Sequence, residues 1–304
     1  MSAETATVLG VPQTAPAFDV PDNACDCHVH VFGPRDRFPY STDRVYTPGP
    51  ASIDDLLALQ RALGLHRVVI VQPSPYGTDN SCLLDALRRL GARARGVAVI
   101  DGATTDAALR RMDAAGVRGV RVNLETRGLR DPAAARELLL SAASRAAHLN
   151  WHVQAYAGLS VLASLHDMIL TLPVPLVVDH FGKPTAAGVG TAEPGFAALL
   201  SLLRRGEIYL KLSAPYRISE RADYADVAAI ARALIEANPD RVVWGTDWPH
   251  PGGGRPGVRS DPGHIEPFRP EDNGRALNRL RTWAADAKQV RKILVDTPER
   301  LYGF

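Results

Sequence analysis

Short β-branched runs recur along the chain, each followed by a longer Ala/Leu/Arg stretch whose apolar residues return every three or four positions. The first pattern suits strands buried on both faces, the second helices with one buried stripe. Strands are predicted at 25–31, 67–72, 96–100, 117–124, 152–155, 176–180, 209–212 and 242–246. Helices are predicted at 53–63, 80–90, 106–115, 132–148, 159–170, 194–205, 224–237 and 275–285. Several starts carry recognisable caps. Ser52 precedes Ile53, and Asp131 precedes Pro132, which places proline at the favoured first helical position.

Eight βα units in 304 residues fit one α/β domain, a (β/α)8 TIM barrel, which typically needs about 250 residues. No shift in composition marks a second domain, so residues 23–304 are expected to form a single barrel catalytic domain. Residues 1–22, rich in Ala, Pro and Thr, read as a flexible N-terminal arm without the basic-then-apolar order of a signal peptide. The Pro/Gly-rich segment 249–270 is the longest irregular stretch, and reads equally as a loop over the mouth or a loose insertion.

Composition narrows the partners. Hydrophobic residues make up 46% and charged residues 22%, which allows a large core and argues against disorder. The net charge is only +2 and there is no lysine or arginine block, so neither nucleic acid nor a membrane surface is expected as a partner. No apolar run approaches the roughly 20 residues of a membrane span. Cys25, Cys27 and Cys82 form an odd, sparse set that suits a reducing compartment, and a cytoplasmic location is expected.

The candidate chemistry lies at strand ends. His28 and His30 close the first strand, His180 ends the sixth, and Asp247 follows the eighth. Residues two apart on a strand face the same way, so both early histidines point into the barrel near its top. A first and an eighth strand meet only if the sheet closes. Three imidazoles and a carboxylate at one point can hold a divalent ion such as zinc, or polarise a carbonyl while the carboxylate takes a proton from water. One such histidine alone would more often be structural; four groups at matching strand ends indicate a catalytic site. Arg121 lies inside an apolar strand, which is costly unless it meets an anion. Arg127 and Arg217 sit on loops after strands four and seven, and a guanidinium fork suits carboxylate or sulfonate oxygens. Cys25 and Cys27 read as small core residues, and His152 is expected at the barrel bottom. Lys183 and His250 flank the mouth and are given no role.

The ordered stretches 26–34, 69–74, 77–80, 95–99, 119–123 and Trp244-Gly245-Thr246-Asp247-Trp248-Pro249-His250 resemble the amidohydrolase superfamily. Its hallmark is an HxH at strand one, a histidine after strand six and an aspartate after strand eight. More narrowly, residues 26–302 are similar to its lactonase branch. The resemblance implies a carboxylic ester hydrolase that opens a small anionic lactone from aromatic-compound catabolism, such as 2-pyrone-4,6-dicarboxylate or a muconolactone, including 4-sulfomuconolactone. It also implies substrate-binding roles for Tyr46, Ser74, Arg121, Arg127, Tyr156 and Arg217. No strained elbow surrounds Ser74, so it is expected to bond substrate, not attack it.

On this reading Asp247 is the general base, with His28, His30 and His180 polarising the carbonyl. Arg121 stands where many relatives place a metal-bridging ligand, so a binuclear centre is not expected. A single divalent ion, with zinc foremost, held by His28, His30, His180 and Asp247 is one option, and metal-free action is the other. Sugar-acid lactone hydrolysis or isomerisation and metal-dependent decarboxylation are the alternative reactions. A non-catalytic binding barrel fits poorly.

Overall fold

Each predicted strand has its counterpart in the computed structural model, which describes residues 6–186, 190–252, 261 and 263–304. The strands are β1 Cys25–Val29, β2 Arg67–Val71, β3 Ala94–Ala98, β4 Val117–Asn123, β5 His152–Tyr156, β6 Leu176–Val178, β7 Ile208–Leu212 and β8 Val242–Trp244. They form one parallel sheet in chain order. The ends differ from expectation by up to two residues, and β6 stops at three residues as the backbone leaves the strand before His180, where φ is +51°.

The sheet closes between β8 and β1. Asp247 N donates to the His28 carbonyl at 2.9 Å, and His30 N donates to the Trp248 carbonyl at 2.7 Å. This approach demands Gly245, since a Cβ there would fall 2.7 Å from His28 N. Asp26 ties the seam, accepting from Thr246 Oγ1 at 2.6 Å, Thr246 N at 3.0 Å and His28 N at 3.1 Å.

A β-bulge in β1 matters for the site. Asp26 pairs with Val68 and Val29 with Ile70, so β1 carries one extra residue between them. Unbroken alternation would send the cysteines and the histidines to opposite faces. With the extra residue, Cys25 and Cys27 join an inner cluster with Val69, Val71, Val97, Val243 and Tyr302. His28 and His30 still turn towards the barrel mouth.

Helices pack outside the sheet, their apolar stripes joining the outward strand residues Val68, Ile70, Val120 and Val153 in one core. They are α1 Ile53–Leu63, α2 Ser81–Leu90, α3 Asp106–Ala114, α4 Pro132–Ala147, α5 Leu159–Ser164, α6 His166–Ile169, α7 Phe196–Arg204, α8 Val227–Ala237 and α9 Asn273–Trp283. Both expected caps form. Ser52 and Asp55 exchange bonds in a capping box, and Asp131 accepts from Ala133 N and Ala134 N. The expected helix 159–170 is broken into α5 and α6. The chain ends in α10 Ala287–Arg291 and α11 Thr297–Tyr302, which the sequence reading did not place; they seat Tyr302 under the barrel.

Residues of the expected N-terminal arm have definite contacts. Thr7–Val8 and Val11–Pro12 form a two-stranded ribbon. Thr14 N donates to Asp272 Oδ1 at 3.0 Å, Ala17 N donates to Asn278 Oδ1 at 2.7 Å, and Gln13 Oε1 accepts from Asn273 N at 2.9 Å. In the irregular segment 249–270, residues 253–260 and 262 lie outside the described residues. Its end, Ile265–Glu266, pairs in parallel with Thr47–Pro48 beside the mouth. No helix among the described residues is long and apolar enough to cross a membrane.

Candidate active site

The four strand-end groups meet on one carboxylate oxygen. Asp247 Oδ1 lies 3.4 Å from His28 Nε2, 3.3 Å from His30 Nε2 and 4.0 Å from His180 Nε2. The other ring nitrogens turn away from this point. His30 Nδ1 donates to the Val71 carbonyl at 2.8 Å, which turns its Nε2 towards Asp247. His180 Nδ1 lies 2.9 Å from Ser213 Oγ, and His28 Nδ1 faces Asp179 Oδ1 at 3.3 Å. All these groups are buried. Reaching this arrangement requires unusual backbone: His180 and Asp247 adopt φ of +51° and +66°. Left-handed non-glycine residues cost on the order of 1 kcal/mol or more each, and they concentrate at functional sites.

Burial draws the His28 imidazole down to about 3 and the His180 imidazole well below its usual range, so both are neutral. Burial alone would raise the Asp247 carboxyl. The Arg217 guanidinium outweighs it and holds Asp247 well below the usual carboxylate range. Among the described residues neither ring nitrogen of His28, nor His180 Nε2, nor Asp247 Oδ1 has a hydrogen-bond partner. Such a set calls for a positive centre in its midst. Ligand atoms of His28, His180 and Asp247 all lie within 4.8 Å of one another, and nitrogen with carboxylate donors suits a zinc-like divalent ion.

The arginines are placed differently from expectation. Arg217 does not stand free for a substrate acid: its Nη2 and Nε donate to Asp247 Oδ2 at 2.9 and 3.2 Å, where Tyr216 OH also donates at 2.6 Å. Buried Arg121 does meet an anion, but an internal one. Its Nε and Nη2 each lie 3.2 Å from Asp179 Oδ2. Arg127 is exposed and has no carboxylate partner among the described residues. It lines a cavity of about 630 Å³ together with Ser74, Arg121 and Asn123. This cavity lies to one side of the histidines, over the loops after β2, β3 and β4.

Tyr46 is buried near Ser74. The Tyr156 hydroxyl accepts from Arg217 Nη1 at 3.4 Å, and its ring meets His180 edge-on at 4.8 Å. Three cations lie over that ring: Arg121 and Arg217 at 5.5 Å and Lys183 at 5.7 Å. Lys183 is itself paired with Glu125 at 2.7 Å. His250 is buried against Tyr216, and His152 lies against Tyr302 at the barrel bottom, away from the cluster.

Four participants were not singled out from the sequence: Gln154, Asp179, Lys211 and Tyr216. Lys211 carried a usable signal. It interrupts the apolar run Ile208–Leu212 just as Arg121 interrupts β4, and burial pulls its ammonium down to about 8. Asp179 adjoins His180 but carries no mark of the inward contacts that only closure provides.

Comparison with known proteins places the barrel in a family. The amidohydrolase family model matches residues 25–304. A 2-pyrone-4,6-dicarboxylate hydrolase of Comamonas testosteroni is 39% identical, with 94% of this chain and 92% of that protein covered. A 4-sulfomuconolactone hydrolase of Rhizobium radiobacter is 37% identical over the same shares. Among solved structures, a putative 2-pyrone-4,6-dicarboxylic acid hydrolase from Pseudomonas putida is 32% identical with a TM-score of 0.75, covering 92% of this chain and 97% of that one. A zinc-bound amidohydrolase from Burkholderia multivorans shares the fold at 21% identity and a TM-score of 0.65, covering 92% and 99%. The chain belongs to the amidohydrolase family.

Proposed function

We propose that this protein opens a small, multiply anionic lactone by direct attack of water, with 2-pyrone-4,6-dicarboxylate the leading substrate and 4-sulfomuconolactone the next. The observation that carries the reading is the unpaired oxygen Asp247 Oδ1, ringed by imidazoles beside a cavity that holds an uncommitted arginine. Relatives 39% and 37% identical are named for hydrolysis of 2-pyrone-4,6-dicarboxylate and 4-sulfomuconolactone, lactones bearing carboxylate or sulfonate groups, which suits that cavity.

In this mechanism a water oxygen adds to the ring carbonyl carbon while Asp247 Oδ1 takes its proton. When the ring carbon–oxygen bond breaks, that proton passes to the departing ring oxygen. Tyr216 and Arg217 hold Asp247 Oδ2, so the carboxylate stays ionised and aimed. The same clamp lowers its basicity, so the proton transfer needs help from a more acidic water. A divalent ion held by His28, His30, His180 and Asp247 would supply that acidity and polarise the carbonyl. Arg127 receives one acidic substituent of the substrate, with Ser74 and Tyr46 fixing the ring beside it. Arg121 and Arg217 add field from their internal pairs.

The test is the ultraviolet band of 2-pyrone-4,6-dicarboxylate mixed with the purified protein, with and without a chelator, alongside proton release and product mass. Loss of the band with one proton released and one water gained supports hydrolysis; persistence after chelation favours the metal-free route. A product of unchanged mass, or release of CO2, rejects hydrolysis. An unchanged band with turnover of 4-sulfomuconolactone moves the substrate to the sulfonate.

A further inference from the structure

Beneath the histidines lies a lysine with no contact to solvent. Lys211 is 0% exposed and sits mid-strand in β7. Burying an ammonium is costly, and a methionine would fill the same volume without that cost. Its partners are specific. Lys211 Nζ donates to the Cys27 carbonyl at 2.8 Å and to Gln154 Oε1 at 2.7 Å. An amide whose oxygen is committed to an ammonium must present its nitrogen elsewhere, and Gln154 Nε2 donates to Asp179 Oδ2 at 3.1 Å. Asp179 Oδ1 then faces His28 Nδ1 at 3.3 Å, with Lys211 Nζ itself 3.9 Å away. The opposite edge of the same imidazole, Nε2, faces Asp247 Oδ1 at 3.4 Å.

The contacts thus run from ammonium to amide to carboxylate to imidazole. Lysine has three donors and no acceptor, so it fixes the Gln154 amide with its nitrogen towards Asp179, and the carboxylate so held offers Oδ1 to His28. Charge balance for Asp179 does not by itself require Lys211, since Arg121 already makes two contacts of 3.2 Å to that carboxylate. What Arg121 does not reach is the orientation of the Gln154 amide.

We propose that Lys211 is a positioning residue: through Gln154 and Asp179 it fixes His28 with its proton on Nδ1, leaving the Nε2 lone pair aimed at Asp247 and the reacting centre. The inference rests on His28 belonging to the reactive cluster and is independent of which lactone is opened.

The experiment uses the full chain labelled with 15N-histidine, treated with chelator and read without substrate, the His28 signals being identified by their loss in His28→Asn. The parent protein is expected to show a protonated Nδ1 and a bare Nε2; a proton on Nε2 overturns the proposal. In Lys211→Met, His28 is expected to divide between the two tautomers. Its kcat on 2-pyrone-4,6-dicarboxylate is expected to fall about 10–100-fold with KM changed less than about threefold. An unchanged His28 spectrum in folded Lys211→Met overturns the proposal, and so does a rise in KM with kcat kept. If Lys211→Met does not fold, Gln154→Glu reads the next link: it keeps an acceptor for Lys211 but removes the donor to Asp179, and retention of a pure Nδ1–H tautomer there overturns the proposal. Failure of the substrate reading shows separately, as no turnover by the parent protein, and leaves the spectra to decide the role of Lys211.

Discussion

Two walls of one barrel share a strand alternation and differ in chemistry. The wall of β8, β1, β2 and β3 is lined by Val243, Cys25, Cys27, Val69, Val71 and Val97, with Tyr302 closing it. The wall of β4 to β7 carries Arg121, Gln154, Asp179 and Lys211, all buried. Apolar groups need only volume and contact. The charged groups are tolerable because each is partnered: Arg121 and Gln154 on Asp179, and Lys211 on Gln154 and a carbonyl. The reactive histidines of β1 stand on the apolar wall, yet His28 is oriented from the charged one through Asp179. A reactive group and the groups that aim it therefore occupy opposite sides of the same core.

The largest effect is expected where the walls meet, at Asp247. Asp247→Asn should lower kcat about 10²–10⁴-fold while pyrone binding, followed by titration calorimetry, largely persists. Turnover close to normal would remove Asp247 as the base.

The foot of the charged wall should show itself in acid. Burial pulls His152 from its ordinary 6.5 to about 3. Between those values the unfolded chain binds the proton and the folded one does not, so stability falls as pH drops below about 6.5, by several kcal/mol at the limit. Urea midpoints measured from pH 7 to 4 check this, and His152→Leu should flatten the slope; an equally steep variant would assign the acid loss to other groups.

A smaller and purely binding effect is expected at the cavity. Arg127→Met should raise KM about tenfold or more with kcat nearly kept, since a hydrogen bond to a charged group contributes about 1.5–3 kcal/mol. A fall in kcat with KM unchanged would place Arg127 at the reacting carbonyl instead.

Smallest is the apolar wall. Val97→Ala should cost about 1–2 kcal/mol of stability, read from the urea midpoint, with kcat and KM unchanged. A matching loss of kcat would erase the distinction between the walls.

Much of this molecule was legible before folding. The strands could be placed because a β-branched run between helical stretches is a local signal, and Ser52 and Asp131 cap the helices they precede. The convergence of His28, His30, His180 and Asp247 was legible because alternation and strand ends are local properties that barrel closure maps to one point. The arginines show where the reading stops. That Arg121 needs an anion follows from its place in an apolar strand, but that the anion is Asp179 depends on what lies across the barrel. Arg217 likewise carries no mark in the sequence of its bond to Asp247.

The chain by itself determined the (β/α)8 class, the strand order and the residue types at the mouth, since these follow from periodicity and local preference. Only the tertiary structure decided the bulge that lets Cys27 and His28 both serve the interior, the pairing of each buried charge, and the donor sense from Lys211 through Gln154 to Asp179. Those depend on distances between strands far apart in sequence, and a buried charge takes the partner that closure brings within reach.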